Sequence, residues 1–255
     1  MTRRILVPLA LLAGFAACST IPEGQRSTKP ASGPPRVREA TVQSHARQFD
    51  EEEPERLAGS QEELAASAYV VAHLTEAGYV SRLDAVPVAD LVRSTNVVAL
   101  PPGGAESAAI VVVAYDSAPG ATPNGLAIGV WLEIARALRA IEPDHSIQFV
   151  ALGAEHTPVE GGRLGSRRLA RQLTDEGASP QMLVVAGVGE GPELSVSGSS
   201  AAALEQAAAR LGLESAAAPV TGAAEVFAEA GFDTTVIGGA PEGVGAVLLG
   251  HLAGL

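Results

Sequence analysis

Cysteine is almost absent from this chain, since Cys18 is the only one among 255 residues. A single cysteine has no partner for a disulfide within the chain. Aromatic residues make up only 4% of the chain and hydrophobic residues 47%, so we expect a core filled mainly by Ala, Val and Leu. The chain also has no internal repeat and no Gly-x-Ser-x-Gly motif. The nucleophile motifs of serine and cysteine hydrolases are therefore missing.

The N-terminus has the composition of a secretory signal. Two arginines precede an apolar run from Ile5 to Ala17, which is too short to span a bilayer comfortably. The stretch Phe15-Ala16-Ala17-Cys18 resembles a bacterial lipobox, in which the cysteine is lipidated and becomes the mature N-terminus, although Phe15 stands where that motif usually has Leu. We predict a signal peptide over residues 1–17 and a lipid anchor on Cys18. The alternative is an ordinary signal peptide with an incidental cysteine.

The mature chain is strongly acidic. Removing residues 1–17 leaves 15 basic and 29 acidic residues, a formal charge of −14. This balance argues against nucleic acid or anionic membranes as partners. Residues 18–45 are rich in Pro and Ser and are predicted to be a tether, which would place the protein in the bacterial cell envelope, held to the membrane through Cys18. The acidic run Asp50 to Glu53 is typical of a solvated face.

Residues 46–255 are long enough for one domain with a sizeable core. Its central stretch places a buried β-branched strand, Ile110 to Val113, before a Gly/Pro-rich loop and an amphipathic helix that starts at Leu126. Further strands are predicted at residues 96–100, 147–152, 182–185, 194–196 and 234–237, and further helices at 61–77, 164–173, 201–211, 226–230 and 244–252. This alternation indicates a three-layer α/β domain with a mostly parallel mixed sheet flanked by helices.

Several stretches, taken in order, carry a family resemblance. They include Arg56-Leu57-Ala58-Gly59-Ser60, Asn96-Val97-Val98-Ala99-Leu100, Tyr115-Asp116-Ser117, Leu132-Glu133-Ile134-Ala135-Arg136, Gly153-Ala154-Glu155 and Leu164-Gly165-Ser166-Arg167. Together they cover about Arg56 to Val236. The chain resembles the two-zinc exopeptidases of the aminopeptidase Y family, whose wider relatives include glutaminyl cyclases and the transferrin receptor ectodomain. The resemblance implies a zinc exopeptidase-like fold.

The resemblance also implies where five zinc ligands would stand. The first ligand position falls on Ala114, and the second, which bridges both metals in the family, falls on Pro123. The third falls on His156 and the fourth on Ala186. The fifth is a C-terminal His in the family, and nothing in residues 238–245 matches it. Only His156 has a donor atom suited to zinc, and a catalytic zinc site needs three protein ligands plus water. We therefore expect no cofactor, with zinc as the alternative.

Two residues match family positions that do not bind metal directly. Asp116 matches the ligand-orienting aspartate, and Glu155 matches the general base that takes a proton from zinc-bound water. Both also have structural interpretations: Asp116 can cap its loop through backbone amides, and Glu155 can be a partly buried carboxylate paired with an arginine.

Three functions compete. The first is an exported pseudopeptidase that binds a peptide or envelope component in the remnant crevice. The second is an active metallo-aminopeptidase with an atypical site built from His156, Glu155, Asp116 and residues such as Glu160. The third is a metal-free hydrolase that uses Asp116 and Glu155 as acid and base. We favour the first, because Pro123 cannot supply the bridging carboxylate that the second requires.

Overall fold

The structure is a computed structural model that describes residues 36–100, 107–141, 143 and 145–254. The predicted signal peptide, Cys18 and most of the predicted tether lie outside the described residues. Seven α-helices are described: α1 Glu39–Arg47, α2 Gln61–Glu76, α3 Gly125–Ile141, α4 Leu164–Glu176, α5 Ala201–Arg210, α6 Ala223–Glu229 and α7 Pro241–Ala253. Among these residues, none of the helices combines the length and apolar character needed to cross a bilayer.

Eight strands form one mixed sheet. They are β1 Val80–Ala89, β2 Val92–Leu100, β3 Ala109–Ala114, β4 Ile147–Leu152, β5 Gln181–Val188, β6 Leu194–Gly198, β7 Ser215–Ala217 and β8 Thr234–Gly239. Their order across the sheet is β1-β2-β4-β3-β5-β8-β6-β7. The four central strands β4, β3, β5 and β8 run parallel to one another. Their carboxyl ends therefore meet along one edge of the sheet, where α/β proteins bind their ligands.

Helices cover both faces of the sheet, which gives three layers. Alternate residues of β3 point to opposite faces, so Val111 belongs to the core cluster that includes side chains of α2, α3 and α7, while Val112 belongs to the cluster that includes side chains of α4 and α6. On the first face the fully buried Trp131 of α3 donates from its indole Nε1 to the carbonyl of Val111 at 2.9 Å. The predicted three-layer α/β fold with a mostly parallel mixed sheet is confirmed.

Helix α1 corrects the predicted boundary of the tether. Residues 39–45, assigned above to the tether, belong to a helix that packs on α3 and buries Val42 completely. Just before it, Arg38 donates to both carboxylate oxygens of Glu133, through its backbone N (2.9 Å), Nε (3.0 Å) and Nη2 (2.8 Å). The domain therefore begins before residue 46, and residues 39–45 are not part of a tether. Helix α1 buries few side chains, so its hydrophobic pattern is weak.

Helix α2 begins where predicted, but a different face is buried. Ser60 caps it by accepting from the Glu63 amide at 3.1 Å. The apolar spacing of this segment predicts that Leu64 lies inside the core, yet Leu64 is 67% exposed and Glu63 is buried. Burial of Glu63 is tolerated because its carboxylate accepts from the Gly59 amide (2.5 Å) and from the Ser94 hydroxyl.

Asp50 differs from the rest of its acidic run. Residues 48–52 form a single π-helical turn, in which Glu51 and Glu52 are exposed as predicted. Asp50 instead turns inward and accepts from the Gly125 amide at 2.9 Å. It thereby supplies the N-terminal cap of α3 from a distant part of the chain.

Candidate functional site

A cavity of about 580 Å³ lies at the carboxyl ends of β3 and β5, beside the N-terminus of α3. Its volume is within the range of small-molecule sites in proteins. The structure brings together four of the positions singled out in the sequence, because Ala114, Pro123, His156 and Ala186 all line this cavity. The C-terminal His251 does not join them: it belongs to α7 and lines a separate groove between α5 and α7.

His156 and Asp116 form a pair at the cavity wall. The carboxylate of Asp116, which is 1% exposed, accepts from the backbone N of His156 at 2.8 Å and lies 3.2 Å from its Nδ1. The hydrogen bond to Asp116 raises the pKa of His156 above its ordinary value, although burial opposes this shift. Asp116 thus orients the imidazole and fixes the β4–α4 loop through the same carboxylate, so the amide that it accepts from belongs to that loop and not to its own loop after β3.

Glu155 is held by helix α4 rather than by an arginine. Its carboxylate accepts from the Ser166 amide at 2.6 Å and from the Ser166 hydroxyl at 3.1 Å. Ser166 lies in the first turn of α4, and the N-cap residue Arg163 makes no side-chain capping bond. Glu155 therefore satisfies an amide that the helix leaves unpaired. The prediction of an arginine partner is wrong, because the loop turns back and places α4 over the carboxylate.

Burial gives Glu155 an unusual proton affinity. Only 8% of the residue is exposed, and this desolvation, together with the negative charge of Asp116, raises the pKa of Glu155 to about 7. The hydrogen bonds from Ser166 and the charge of His156 act in the opposite direction. A carboxyl group with a pKa near neutrality can accept or release a proton at physiological pH.

Arg56 organises the wall behind these residues, and sequence reasoning did not single it out. Although 1% exposed, Arg56 donates from Nε to the Tyr115 carbonyl at 2.7 Å and from its Nη atoms to the carbonyls of Phe49 and Glu53 and to Oδ1 of Asn124. An arginine in an extended N-terminal segment gives no sequence signal of such burial.

Asn124 carries this network to the end of β3. Its Nδ2 donates to the carbonyls of Ala114 (2.9 Å) and Asp116 (3.1 Å). The amide side chain therefore holds the β3–α3 loop, with Pro123, in a fixed position at the cavity. Arg56 begins one of the stretches that carry the family resemblance.

The described side chains do not fit a zinc site. Among residues 36–254, apart from the short gaps, no three His, Cys, Asp or Glu side chains converge so that they could hold a metal ion. At the cavity, Ala114, Pro123 and Ala186 have no side-chain donor atoms, so three ligands cannot be assembled there.

Comparisons with known proteins point to one family. The model of peptidase family M28 matches residues 96–233, which is more than half of the chain. Aminopeptidase YwaD of Bacillus subtilis is 41% identical over 69 residues, a stretch that spans 26% of this chain and 14% of the relative. The match thus covers only a small part of that enzyme.

Solved structures confirm the zinc exopeptidase-like fold. A leucine aminopeptidase precursor and a glutaminyl cyclase bound to N-acetylhistamine, both from Bacteroides thetaiotaomicron, each superpose with a TM-score of 0.73 at 15% identity over 88% of this chain. The superposed region covers 99% of the first structure and 100% of the second. A zinc aminopeptidase from Bacillus subtilis superposes with a TM-score of 0.64 at 15% identity, over 80% of this chain and 86% of that structure.

Proposed function

The chain belongs to peptidase family M28, and from that premise we propose that it is an exported lipoprotein that binds a peptide or envelope component without hydrolysing it. The anchor in this proposal is Cys18, and the binding site is the cavity at the carboxyl ends of β3 and β5. As an acidic protein it takes no nucleic acid partner.

One observation carries the proposal. Three of the four family ligand positions that line the cavity are Ala114, Pro123 and Ala186, none of which can bind or bridge metal ions. Hydrolysis by two metals depends on a carboxylate that clamps both ions, and this role is vacant at Pro123. The cavity nevertheless keeps a volume suited to a ligand.

The bonding of Glu155 also supports a binding role. Both carboxylate oxygens accept from Ser166, and the residue is absent from the cavity lining. A general base needs to be within hydrogen-bond reach of the proton that it removes. Glu155 in this arrangement stabilises α4 instead.

A second candidate function, an active metallo-exopeptidase, has one observation in its favour. Glu155, Asp116 and His156 lie side by side, and the pKa of Glu155 is raised to about 7. A base with that pKa suits catalysis at neutral pH. This candidate requires metal ligands from outside the described residues.

Zinc stoichiometry and turnover distinguish the two candidates. We would purify the full mature chain, measure its zinc content by mass spectrometry, and assay chromogenic aminoacyl substrates with and without added zinc. The proposal expects substoichiometric zinc and no turnover above that of Glu155→Gln, a variant that keeps the size of the side chain. Wild-type turnover that is lost both in Glu155→Gln and with chelator would contradict it and establish the exopeptidase.

A further inference from the structure

We propose that two copies of this chain associate through the free edge of the sheet. Residues 80–86 of β1 pair antiparallel with the same residues of the second copy, about a two-fold axis at Leu83. This surface goes beyond the proposed function, since no residue of β1 or α2 lines the cavity. The inference follows from the open edge, the charge pattern along β1 and an exposed apolar stripe on the neighbouring helix α2.

The outer side of β1 is open to another strand. Strand β1 stands at one end of the sheet order, and among the described residues no strand pairs with its outer side. Alternate residues of an edge strand have backbone N–H and C=O groups that point away from the sheet, and proteins protect such edges with proline, lysine or bulges. In β1, Pro87 and the register shift after it come late in the strand. Residues 80–86 contain no proline, lysine or bulge, so this stretch can pair.

The charges of this stretch are self-complementary about Leu83. Arg82 and Asp84 flank Leu83 and share one face of the strand, with Nε of Arg82 2.7 Å from Oδ1 of Asp84. When Leu83 of one copy lies opposite Leu83 of the other, each Arg82 lies opposite Asp84 of the other copy, and the two-fold axis forms this pair twice. An axis at Arg82 or at Asp84 would place like charges opposite each other. Charge therefore favours the axis at Leu83.

The ends of the open stretch agree with the same axis. Val80 is the first residue of β1, and Val86 is the last before Pro87. An axis at Leu83 places Val80 opposite Val86 of the other copy, so the pairing uses the whole open stretch. Val80 is 71% exposed and Leu83 is 58% exposed, so the pairing also covers apolar surface that a single copy leaves in water.

Helix α2 adds an apolar stripe beside this edge. Leu83 pairs with Val97, a residue of the core cluster that includes side chains of α2 and α3, so Leu83 projects on the face that α2 covers. The helix contacts both β1 and β2. Its apolar stripe consists of Leu64, which is 67% exposed, Ala68, which is exposed, and the half-buried Val71.

The apolar stripe lies on the side of α2 that faces the sheet edge. On the other side of the helix, the rings of Tyr69 and His73 contact the ring of His45 in α1, which packs on α3. Because an α-helix has 3.6 residues per turn, Leu64 and Val71 are roughly opposite to that contact. In the two-fold arrangement the stripes of both copies therefore meet beside the paired strands. They enlarge the contact beyond the strand edge, as a stable interface requires.

The association state is the first measurement. The full mature chain is prepared with Cys18→Ser, so that it carries neither the predicted lipid nor a thiol, and is studied by sedimentation velocity over a range of concentrations. We expect a reversible equilibrium in which a species of twice the chain mass is populated at tens of micromolar. A chain that stays monomeric at hundreds of micromolar would overturn the inference.

Two charge reversals test the register. Arg82→Asp and Asp84→Arg each place like charges opposite one another across the axis, and each should weaken dimerisation by about tenfold. An equal mixture of the two variants restores opposite charges between unlike chains and should dimerise about as tightly as the parent. Each variant still has like charges within its own strand, so recovery must come from contact between chains. The matched control, Arg93→Asp at an exposed position of β2, should leave dimerisation unchanged.

A single cysteine locates the axis. Residues directly opposite each other in antiparallel strands have Cα atoms about 4.5–5.5 Å apart, which a disulfide can span. In the Cys18→Ser chain, Leu83→Cys should therefore give a disulfide-linked dimer when a mild oxidant is added. The control is Leu91→Cys, which is 97% exposed but lies beyond the paired stretch and should be linked much more slowly.

A dimer that neither charge reversal weakens, or that the mixture does not restore, would lie on another surface and overturn the inference. Equal linking of Leu83→Cys and Leu91→Cys would also overturn it. These results are independent of the proposed function, whose failure is a separate observation, namely zinc-dependent turnover of the aminoacyl substrates.

Discussion

The two sides of the cavity are built very differently. The bonded wall is defined by Asn124 and His156, which line the cavity, and by Arg56, Asp116 and Glu155 behind them. It is tied together by hydrogen bonds, several of which join segments that lie far apart in the chain. The open wall, residues 186–191, has four glycine or alanine positions and exposes Ala186, Gly187 and Glu190. We infer that the bonded wall stabilises the fold, whereas the open wall leaves groups free to meet a ligand.

The largest expected effect breaks the bonded wall at its centre. Arg56→Met should lower the free energy of unfolding by about 3 kcal/mol or more, because buried acceptors on Phe49, Tyr115 and Asn124 lose their donor. Chemical denaturation of the full mature chain measures the change. Arg168→Met, at an exposed position of α4, is the control and should change stability by no more than about 0.5 kcal/mol. Similar losses in both variants would show that the wall is not the stabilising unit.

Glu155 gives the next effect, and it depends on pH. Because its pKa is raised to about 7 in the folded chain, the folded state holds a proton that the unfolded state releases at about pH 4.5. Its contribution to stability is therefore full at low pH and falls as the pH rises from about 4.5 to 7. Relative to wild type, the free energy of unfolding of Glu155→Gln should therefore rise by on the order of 2 kcal/mol as the pH is raised from 4.5 to 8.

Unfolding curves of wild type and Glu155→Gln at several pH values measure this difference, which cancels the titration of every other group. The expected result is that the stability of Glu155→Gln relative to wild type increases only within the range from pH 4.5 to 8. A difference between the two proteins that is constant from pH 4.5 to 8 would contradict the shifted pKa.

A smaller effect is expected where the bonded wall meets α3. Asp50→Ala removes the carboxylate that accepts from the Gly125 amide, and it should lower the free energy of unfolding by about 1 kcal/mol. The neighbouring Glu51→Ala, on the exposed side of the same turn, should be nearly neutral. Thermal melts of the pair measure the difference, and equal melting temperatures would argue against a capping role for Asp50.

The smallest effect should come from the open wall. Ala186→Asp places a carboxylate at an exposed position and should change the free energy of unfolding by no more than about 0.5 kcal/mol. Denaturation under the conditions used for Arg56→Met measures it. A loss close to that of Arg56→Met would remove the distinction between the two walls.

The sequence predicted the central sheet well because its strands are covered on both faces. Ile110 to Val113 reads as one continuous apolar run, so strand and burial follow from the same signal. The edge strand β1 was missed, since it contains Arg82, Asp84 and Pro87 and buries only alternate residues near its end. The short edge strand β7 was missed as well, because its three residues are all exposed.

The site was predictable in its positions but not in its bonds. Ala114, Pro123, His156 and Ala186 meet at one cavity because they follow neighbouring parallel strands, as strand order alone indicates. The bond from Arg56 to Asn124 joins residues 68 positions apart, and no local pattern encodes it. The partner of Glu155 depends on how the loop between β4 and α4, residues 153–163, turns back, which the sequence leaves open among several hydrogen-bond donors.

The clamp between Arg38 and Glu133 gives the domain a defined point for bearing mechanical load. Arg136 donates to the Arg36 carbonyl at 2.8 Å and also pairs with Glu133, so several bonds share one anchoring carboxylate on α3. Tension applied to the chain before residue 36 is therefore transmitted to the middle of α3 before it reaches α1. Since α3 begins at the cavity, a pull on the N-terminus would act on the helix whose first turn lines that cavity.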